Sequence, residues 1–277
     1  MQSDSAHPPA TRSTAMRWLM GGVLGYLVLV GLMAAFETAL VFPAPRIERA
    51  QLTRAAGVVG ATELALTAED GTALYGWRIG ETDRLVLYFS GNGSSVGEGD
   101  LYHQLSTAGI STLHVNYRGY PGSEGTPSEE GLLHDARAAW NEARRTHPAD
   151  RIIVLGKSLG GGVATGLVAG LAEEQPAGLV LASTFTSAVA VGAETYPWLP
   201  VSSLMRNRFD SLAKADQIRC PTLVLHGTAD TMIGSHHGQK LAEAITGGVF
   251  LGIPGMGHND RLLSNPEAWA AFKRLIH

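Results

Sequence analysis

The sequence predicts an α/β fold: a mostly parallel central sheet with helices on both faces, preceded by a membrane-spanning helix. Three observations predict it. From about residue 60, strand-like apolar runs alternate with helix-like segments. One of those runs, Ile152-Ile153-Val154-Leu155, leads directly into a serine flanked by glycines, Gly156-Lys157-Ser158-Leu159-Gly160. The stretch from Trp18 to Phe36 carries no charged residue.

Taken in order, residues 1–16 are rich in Ser, Thr, Ala and Pro and are expected to form a disordered tail. Residues 17–37 are expected to be a transmembrane anchor. The uncharged segment is long enough to cross a bilayer as a helix. It is longer than the apolar core of a cleaved signal peptide, and no small-x-small cleavage site follows it. An uncleaved anchor is therefore preferred, with a cleaved signal and secretion as the alternative. Its glycines suit a membrane helix better than a soluble one. Arg12 and Arg17 on one side are matched by Arg46, Arg49 and Arg54 on the other, so charge asymmetry does not orient it.

Residues 38–58, with Pro43 and Pro45, are expected to be a juxtamembrane linker, and 59–277 the globular domain. Strands are expected at 84–89, 111–116, 151–155, 178–182, 221–227 and 248–253, and helices at 129–145 and 161–173. A longer insertion near 184–217 holds Phe185, Tyr196, Trp198, Leu204, Met205 and Phe209. It is expected either to form a small cap that takes an acyl chain or to pack as ordinary helices.

Composition narrows the function classes. The chain has 277 residues, 45% of them hydrophobic and 17% charged, with a formal net charge of −4 and no basic run. Nucleic acid is therefore not an expected partner. The single cysteine, Cys220, precludes an intrachain disulfide and is expected to be a packing residue.

The chemistry centres on Ser158. A serine hydroxyl is a poor nucleophile unless a sharp turn presents it to a base, and flanking glycines permit such a turn. The Gly-Lys-Ser run also suggests a phosphate-binding loop, but that loop needs a glycine where this chain has Arg151. The base in turn needs an orienting acid. After the expected strand at 221–227 comes Asp230, and after the strand at 248–253 comes His258 in a Gly-rich loop. Serine, acid and histidine then follow in the order of a strand-end triad. Asp230 is assigned as the acid in preference to Asp260, which lacks the post-strand setting. Among other histidines, His226 at a strand end reads as a core or turn residue, and His114 lies within an expected strand. His236 and His237 are adjacent and are not expected to share a face as metal ligands. No metal or cofactor is expected.

An oxyanion hole is expected from the backbone N–H groups of Leu159 and Asn92. Asn92 lies in the loop Ser90-Gly91-Asn92-Gly93-Ser94-Ser95, which follows the expected strand at 84–89. Ser90, Gly91 and Gly93 would support that loop.

Together these residues resemble the α/β-hydrolase family, and within it the Bem46-like, ABHD13-like and ABHD17-like branch. The resemblance covers nearly the whole chain after the apolar segment. Its most specific part is Asn116-Tyr117-Arg118-Gly119-Tyr120-Pro121-Gly122-Ser123-Glu124-Gly125-Thr126-Pro127-Ser128-Glu129. It implies an α/β-hydrolase fold with a short cap, with Ser158, Asp230 and His258 at the triad positions. It also implies a catalytic domain on the non-cytoplasmic side. Two positions depart from the family. Ser90 stands where a histidine usually supports the oxyanion loop, so a less rigid loop is expected. Gly234 stands where a proline often follows the acid.

The implied reaction is transfer of an acyl group from a small-molecule or lipid ester or thioester to water. A serine peptidase of the same fold and a weakly catalytic membrane-tethered scaffold are the alternatives. The chain lacks the cysteine-rich N-terminus of the ABHD17-like thioesterases, and Ser158 excludes the carboxylate-nucleophile chemistry of halide- or epoxide-converting relatives. Substrate identity and oligomeric state are not implied.

Overall fold

The computed structural model describes residues 11–97 and 100–276. The residues expected as a disordered tail fall outside it as far as residue 10; the rest belong to the first helix.

Two N-terminal strands, β1 (Thr62–Thr67) and β2 (Ala73–Ile79), form an antiparallel hairpin that the sequence reading did not separate. The remaining strands are β3 (Leu85–Phe89), β4 (Ser111–Val115), β5 (Ile152–Lys157), β6 (Gly178–Ala182), β7 (Thr222–Gly227) and β8 (Gly248–Ile253). They follow the expected runs to within one or two residues. Spatial order is β1-β2-β4-β3-β5-β6-β7-β8, and every pair from β4 to β8 is parallel. Both faces of the parallel part are covered, so its strands are apolar on both sides. Alternate residues divide between two cores. Leu85, Leu87, Val154, Leu181 and Val224 face one core, and Val86, Ile153, Leu155, Val180 and Leu225 the other.

The helices are α1 (Thr11–Ala35), α2 (Glu37–Val41), α3 (Arg49–Val59), α4 (Leu101–Thr107), α5 (Glu129–Arg144), α6 (Leu159–Ala169), α7 (Ala188–Thr195), α8 (Val201–Leu204), α9 (Ser235–Ala244) and α10 (Pro266–Ile276). Helices α5, α6 and α9 cover one face of the sheet through residues such as Leu132, Val163 and Leu241, and α4 and α10 cover the other through Leu105 and Phe272. Helix α5 begins where Ser128 Oγ accepts the Gly131 N–H at 3.1 Å.

Helix α1 is long and apolar enough over Ala15–Ala35 to cross a membrane, and none of that stretch is buried against the protein. At about 1.5 Å per residue, those 21 residues match a hydrocarbon core of about 30 Å.

The segment expected as a linker contains α2 and α3, both docked on the domain. Phe42 is buried in the main core, where it meets Phe209 edge-on at 6.1 Å. Helix α3 opens with a capping box between Glu48 and Gln51. It buries Leu52 and Ala56 against Tyr75 and Trp77 of β2, and its Arg49 guanidinium lies 3.7 Å from the centre of the Tyr75 ring. Pro43 and Pro45 turn the chain between two packed helices rather than spacing it away from the domain.

The Tyr-Arg-Gly-Tyr loop is pinned by a buried ion pair. Asp135 on α5 accepts the Arg118 backbone N–H at 2.8 Å and its Nε and Nη2 at 2.9 and 2.8 Å. Asp70 accepts Nη1 at 2.6 Å. Removing Asp135 leaves the Arg118 backbone N–H, Nε and Nη2 without their acceptor and only Asp70 on the buried guanidinium, so Asp135→Ala is expected to destabilise the fold by about 3 kcal/mol. Loss of the exposed Arg219–Glu173 pair in Arg219→Ala is expected to cost less than about 1 kcal/mol. Urea denaturation of both variants checks the contrast.

Candidate active site

Ser158 directly follows β5 and caps α6 with φ 52° and ψ −118°. A non-glycine residue held there stores about 1–3 kcal/mol of strain. The strain is kept by close packing on both sides. A Cβ on Gly156 would overlap the Gly160 carbonyl, and a Cβ on Gly160 would overlap the Phe89 carbonyl at the end of β3. Only glycine at both positions lets α6 start this close to the sheet.

Three strand ends bring the expected residues together. His258 Nε2 lies 3.1 Å from Ser158 Oγ, and His258 Nδ1 lies 2.8 Å from Asp230 Oδ2. Nδ1 donates to the carboxylate, which leaves Nε2 free to accept the serine proton. Asp230 is buried, and its other oxygen accepts the Met232 and Ile233 backbone N–H groups, each at 2.9 Å. Burial alone would raise its pKa. The Ile233 N–H and the hydrogen bond and charge of His258 outweigh that and hold it below the ordinary carboxylate value. Asp260 binds the Gly257 N–H at 2.7 Å instead.

His226, read from the sequence as a core or turn residue, is fully buried and part of this network. Its Nε2 donates to Asp230 Oδ2 at 3.2 Å and to the Ile233 carbonyl at 2.9 Å. Its position four residues before the acid, at the end of the same strand, was the available signal.

The loop after β3, expected to supply an oxyanion N–H, is more firmly held than Ser90 alone suggests. Ser90 Oγ lies 3.1 Å from Nε2 of His114, which comes from the adjacent strand β4. His114 Nδ1 lies 2.6 Å from the Tyr102 hydroxyl. A histidine thus reaches the loop from the neighbouring strand. Tyr117 donates to the Ser90 carbonyl at 2.9 Å, and Tyr120 to the Asn92 carbonyl at 2.5 Å. The Tyr-Arg-Gly-Tyr loop therefore clamps the loop after β3, a role that motif resemblance did not reveal. Gly91 lies beside Ser158: a Cβ on it would sit 3.7 Å from the serine Cβ. Gly93 meets nothing within 4 Å and is open to solvent on that side.

These groups line one cavity of about 690 Å³, a volume in the range of small-ligand sites. Gly91, Asn92, Lys157, Ser158, Leu159 and His258 form its polar end. Burial lowers the pKa of Lys157, against the opposing charges of Asp260 and Asp230. Phe185, Val191, Tyr196 and Met205 of the insertion form much of its apolar part.

His236 and His237 do face a common partner, contrary to the expectation from their adjacency. Their rings lie 4.4 Å apart, and each Nε2 is 3.2 Å from a different oxygen of Glu194 on α7. The His237 Nδ1 accepts the Thr186 backbone N–H at 3.3 Å, so its Nε2 bears the proton directed at Glu194. Hydrogen bonding accounts for the cluster. Cys220 is buried, and burial pushes its thiol up to about 11, in keeping with a packing role.

Comparison with known proteins agrees with this architecture. Residues 80–210 match the family model for Hydrolase_4, serine aminopeptidase S33. An uncharacterized protein of Mycobacterium tuberculosis, Rv2307c, is 37% identical over 223 residues, covering 77% of this chain and 78% of its own. The chain belongs to the α/β-hydrolase superfamily.

Among solved α/β-hydrolases, one from Vibrio vulnificus superposes with a TM-score of 0.68 at 23% identity over 98% of both chains. The Pyrococcus furiosus esterase Pf2001 gives 0.64 at 20% identity, covering 78% of this chain and 89% of its own. The lysophosphatidylserine lipase ABHD12 of Danio rerio is 33% identical over 179 residues, 57% of this chain and 46% of the lipase. The chain thus spans about half the length of that relative.

His114 generates a pH prediction. Complete burial depresses its pKa to about 3, well under the ordinary value of 6.5. The unfolded chain takes up a proton that the folded one refuses, so this contribution is present above about pH 6.5 and is lost as pH falls toward 3. Each unit in that window is expected to cost about 1 kcal/mol. Thermal midpoints measured between pH 7 and pH 5 are expected to fall less steeply in His114→Asn than in the parent.

Proposed function

We propose that this α/β-hydrolase is a membrane-anchored serine hydrolase that cleaves a carboxylic ester or thioester through an acyl-enzyme. The observation that carries the reading is the unbroken chain Ser158 Oγ–His258–Asp230 at one end of an apolar cavity. The esterase and lipase names of several relatives support it. Within the superfamily we assign the chain to the Bem46-like, ABHD13-like and ABHD17-like branch, on the loop at 116–129. Helix α1 is the anchor, and the catalytic domain lies on the non-cytoplasmic side.

The chemistry follows from the proton positions. His258 Nε2 takes the Ser158 proton as Oγ bonds to the acyl carbon, and Asp230 stabilises the imidazolium that forms. The carbonyl oxygen becomes an oxyanion, stabilised by the Leu159 and Asn92 backbone N–H groups; one such donor contributes about 3–4 kcal/mol. As the tetrahedral species collapses, His258 returns the proton to the leaving alcohol or thiol, and the acyl group stays on Ser158. Water then attacks with His258 again as base, releasing the acid and restoring Ser158–H. This scheme needs no metal or cofactor.

The family match favours a second reading, a serine peptidase. The apolar insertion wall of the cavity weighs toward an acyl chain rather than a peptide backbone, which would need polar partners along its length.

Ser158→Ala is expected to abolish labelling by a fluorophosphonate probe; persistent labelling overturns the nucleophile assignment. Asp230→Asn reverses the histidine tautomer and is expected to lower kcat by about 10⁴-fold on whichever ester, thioester or peptide substrate the wild type turns over best. Tyr120→Phe frees the Asn92 carbonyl and is expected to cost about 1 kcal/mol of transition-state stabilisation, read mainly in kcat.

A further inference from the structure

Two parts of the chain distant in sequence meet at the cavity. Met33 of α1 and Leu40 and Val41 of α2 form one part of its wall, and Val191, Tyr196 and Met205 of the insertion form another. The anchor is therefore not a passive tether ahead of a finished domain. Its last turn and the helix after it complete the apolar part of the site.

The two parts of the wall are locked together by a buried carboxylate. Glu37 Oε1 accepts the backbone N–H groups of Arg206 and Asn207 at 2.8 and 2.9 Å and the Asn207 Nδ2 at 3.2 Å. Its Oε2 accepts Arg206 Nε at 2.9 Å. A buried carboxylate is costly unless it is so supplied with donors. Asn207 continues the link, since its Oδ1 accepts the Glu129 N–H at 2.7 Å at the start of α5. Asn92 of the oxyanion loop donates through Nδ2 to the Val41 carbonyl at 3.3 Å. Further toward the N-terminus, Tyr26 of α1 donates to the Trp198 carbonyl at 3.0 Å at the tip of the insertion.

The mouth of this cavity is apolar where it meets the anchor. Leu40, Tyr196 and Met232 line the cavity and are also exposed, and Trp198 is exposed beside Tyr26. Aromatic residues with one polar end are suited to a membrane interface. Tyr26 and Met33 both lie within the apolar stretch Ala15–Ala35, so a helix that crosses the bilayer brings the insertion tip and this mouth into contact with the apolar layer rather than with water.

We propose that α1 and α2 form the fixed wall of an acyl-chain site, with Glu37 as the positioning residue that clamps the wall to the insertion, and that the substrate is a long-chain acyl ester drawn from the adjoining leaflet. The chain slides along Met33 and Leu40 toward Ser158 without crossing water. The proposal rests on the serine-hydrolase reading for the reaction but not for the binding site.

The test uses the full chain in phosphatidylcholine vesicles and compares kcat/KM for hexadecanoyl and butanoyl esters. Leu40→Trp fills the wall and is expected to lower the long-to-short ratio by about tenfold or more. Leu19→Trp, exposed on α1 away from the cavity, is expected to leave the ratio at the parent value. Glu37→Ala releases the clamp and is expected to lower the ratio as well, through KM for the long ester; Glu37→Gln keeps one accepting oxygen and is expected to recover part of it. An unchanged ratio in Leu40→Trp and Glu37→Ala overturns the proposal. Binding of a fluorescent hexadecyl ether to Ser158→Ala separates the two readings, because it requires no turnover. Weakened binding in Ser158→Ala/Leu40→Trp supports the wall even if the wild type hydrolyses no ester, and equal binding overturns it.

Discussion

The site depends on a contact in which two backbones approach too closely for any side chain. Gly156 and Gly160 let the first turn of α6 press onto the ends of β5 and β3, and that closeness forces Ser158 into a conformation that L-residues avoid. Everything else is arranged around the resulting point. The parallel sheet sets the lateral spacing of strand ends, so the loops after β7 and β8 deliver Asp230 and His258 to the same edge. The loop after β3 comes to the other side of Ser158. Strain at one residue is tolerable because two packed cores hold the strand and the helix on either side of it.

Supporting contacts recur at each of these loops. Asp230 is held by two backbone N–H groups and by His226 as well as by His258. The loop after β3 is held by His114, Tyr117 and Tyr120. Arg118, between those two tyrosines, is fixed by Asp135 and Asp70. A buried ion pair adds little net stability against an apolar replacement, but it fixes geometry once present. Here the geometry it fixes is that of the loop beneath the site.

Much of the fold was legible because the parallel strands are short apolar runs ended by turns, and because the motif around Ser158 falls at one of those ends. The β1–β2 hairpin was not, since Thr62–Thr67 is half exposed and lacks a clean apolar run. Ser158, Asp230 and His258 were legible from type, order and strand-end setting. Their supports were not, because a hydrogen bond between neighbouring strands leaves no spacing in the chain: nothing in the sequence pairs Ser90 with His114, 24 residues away. The docking of residues 38–58 on the domain is hidden from the sequence for a related reason. Two prolines and mixed polarity read as a spacer, while the burial of Phe42, Leu52 and Ala56 arises only from the surface they meet. The same blindness hid Glu37, whose partners lie about 170 residues away.

Helices α1 and α2, the insertion and the sheet edge at Ser158 thus form one connected unit, joined through Glu37 and Asn92. A crystal structure of the full chain inactivated by a hexadecyl fluorophosphonate tests it most directly. The account predicts phosphorus bonded to Ser158 Oγ, the phosphoryl oxygen facing the Leu159 and Asn92 backbone N–H groups, and the alkyl chain lying between α2 and α7 against Leu40 and Val191. Phosphorus on another residue, or an alkyl chain directed away from α2, would contradict it.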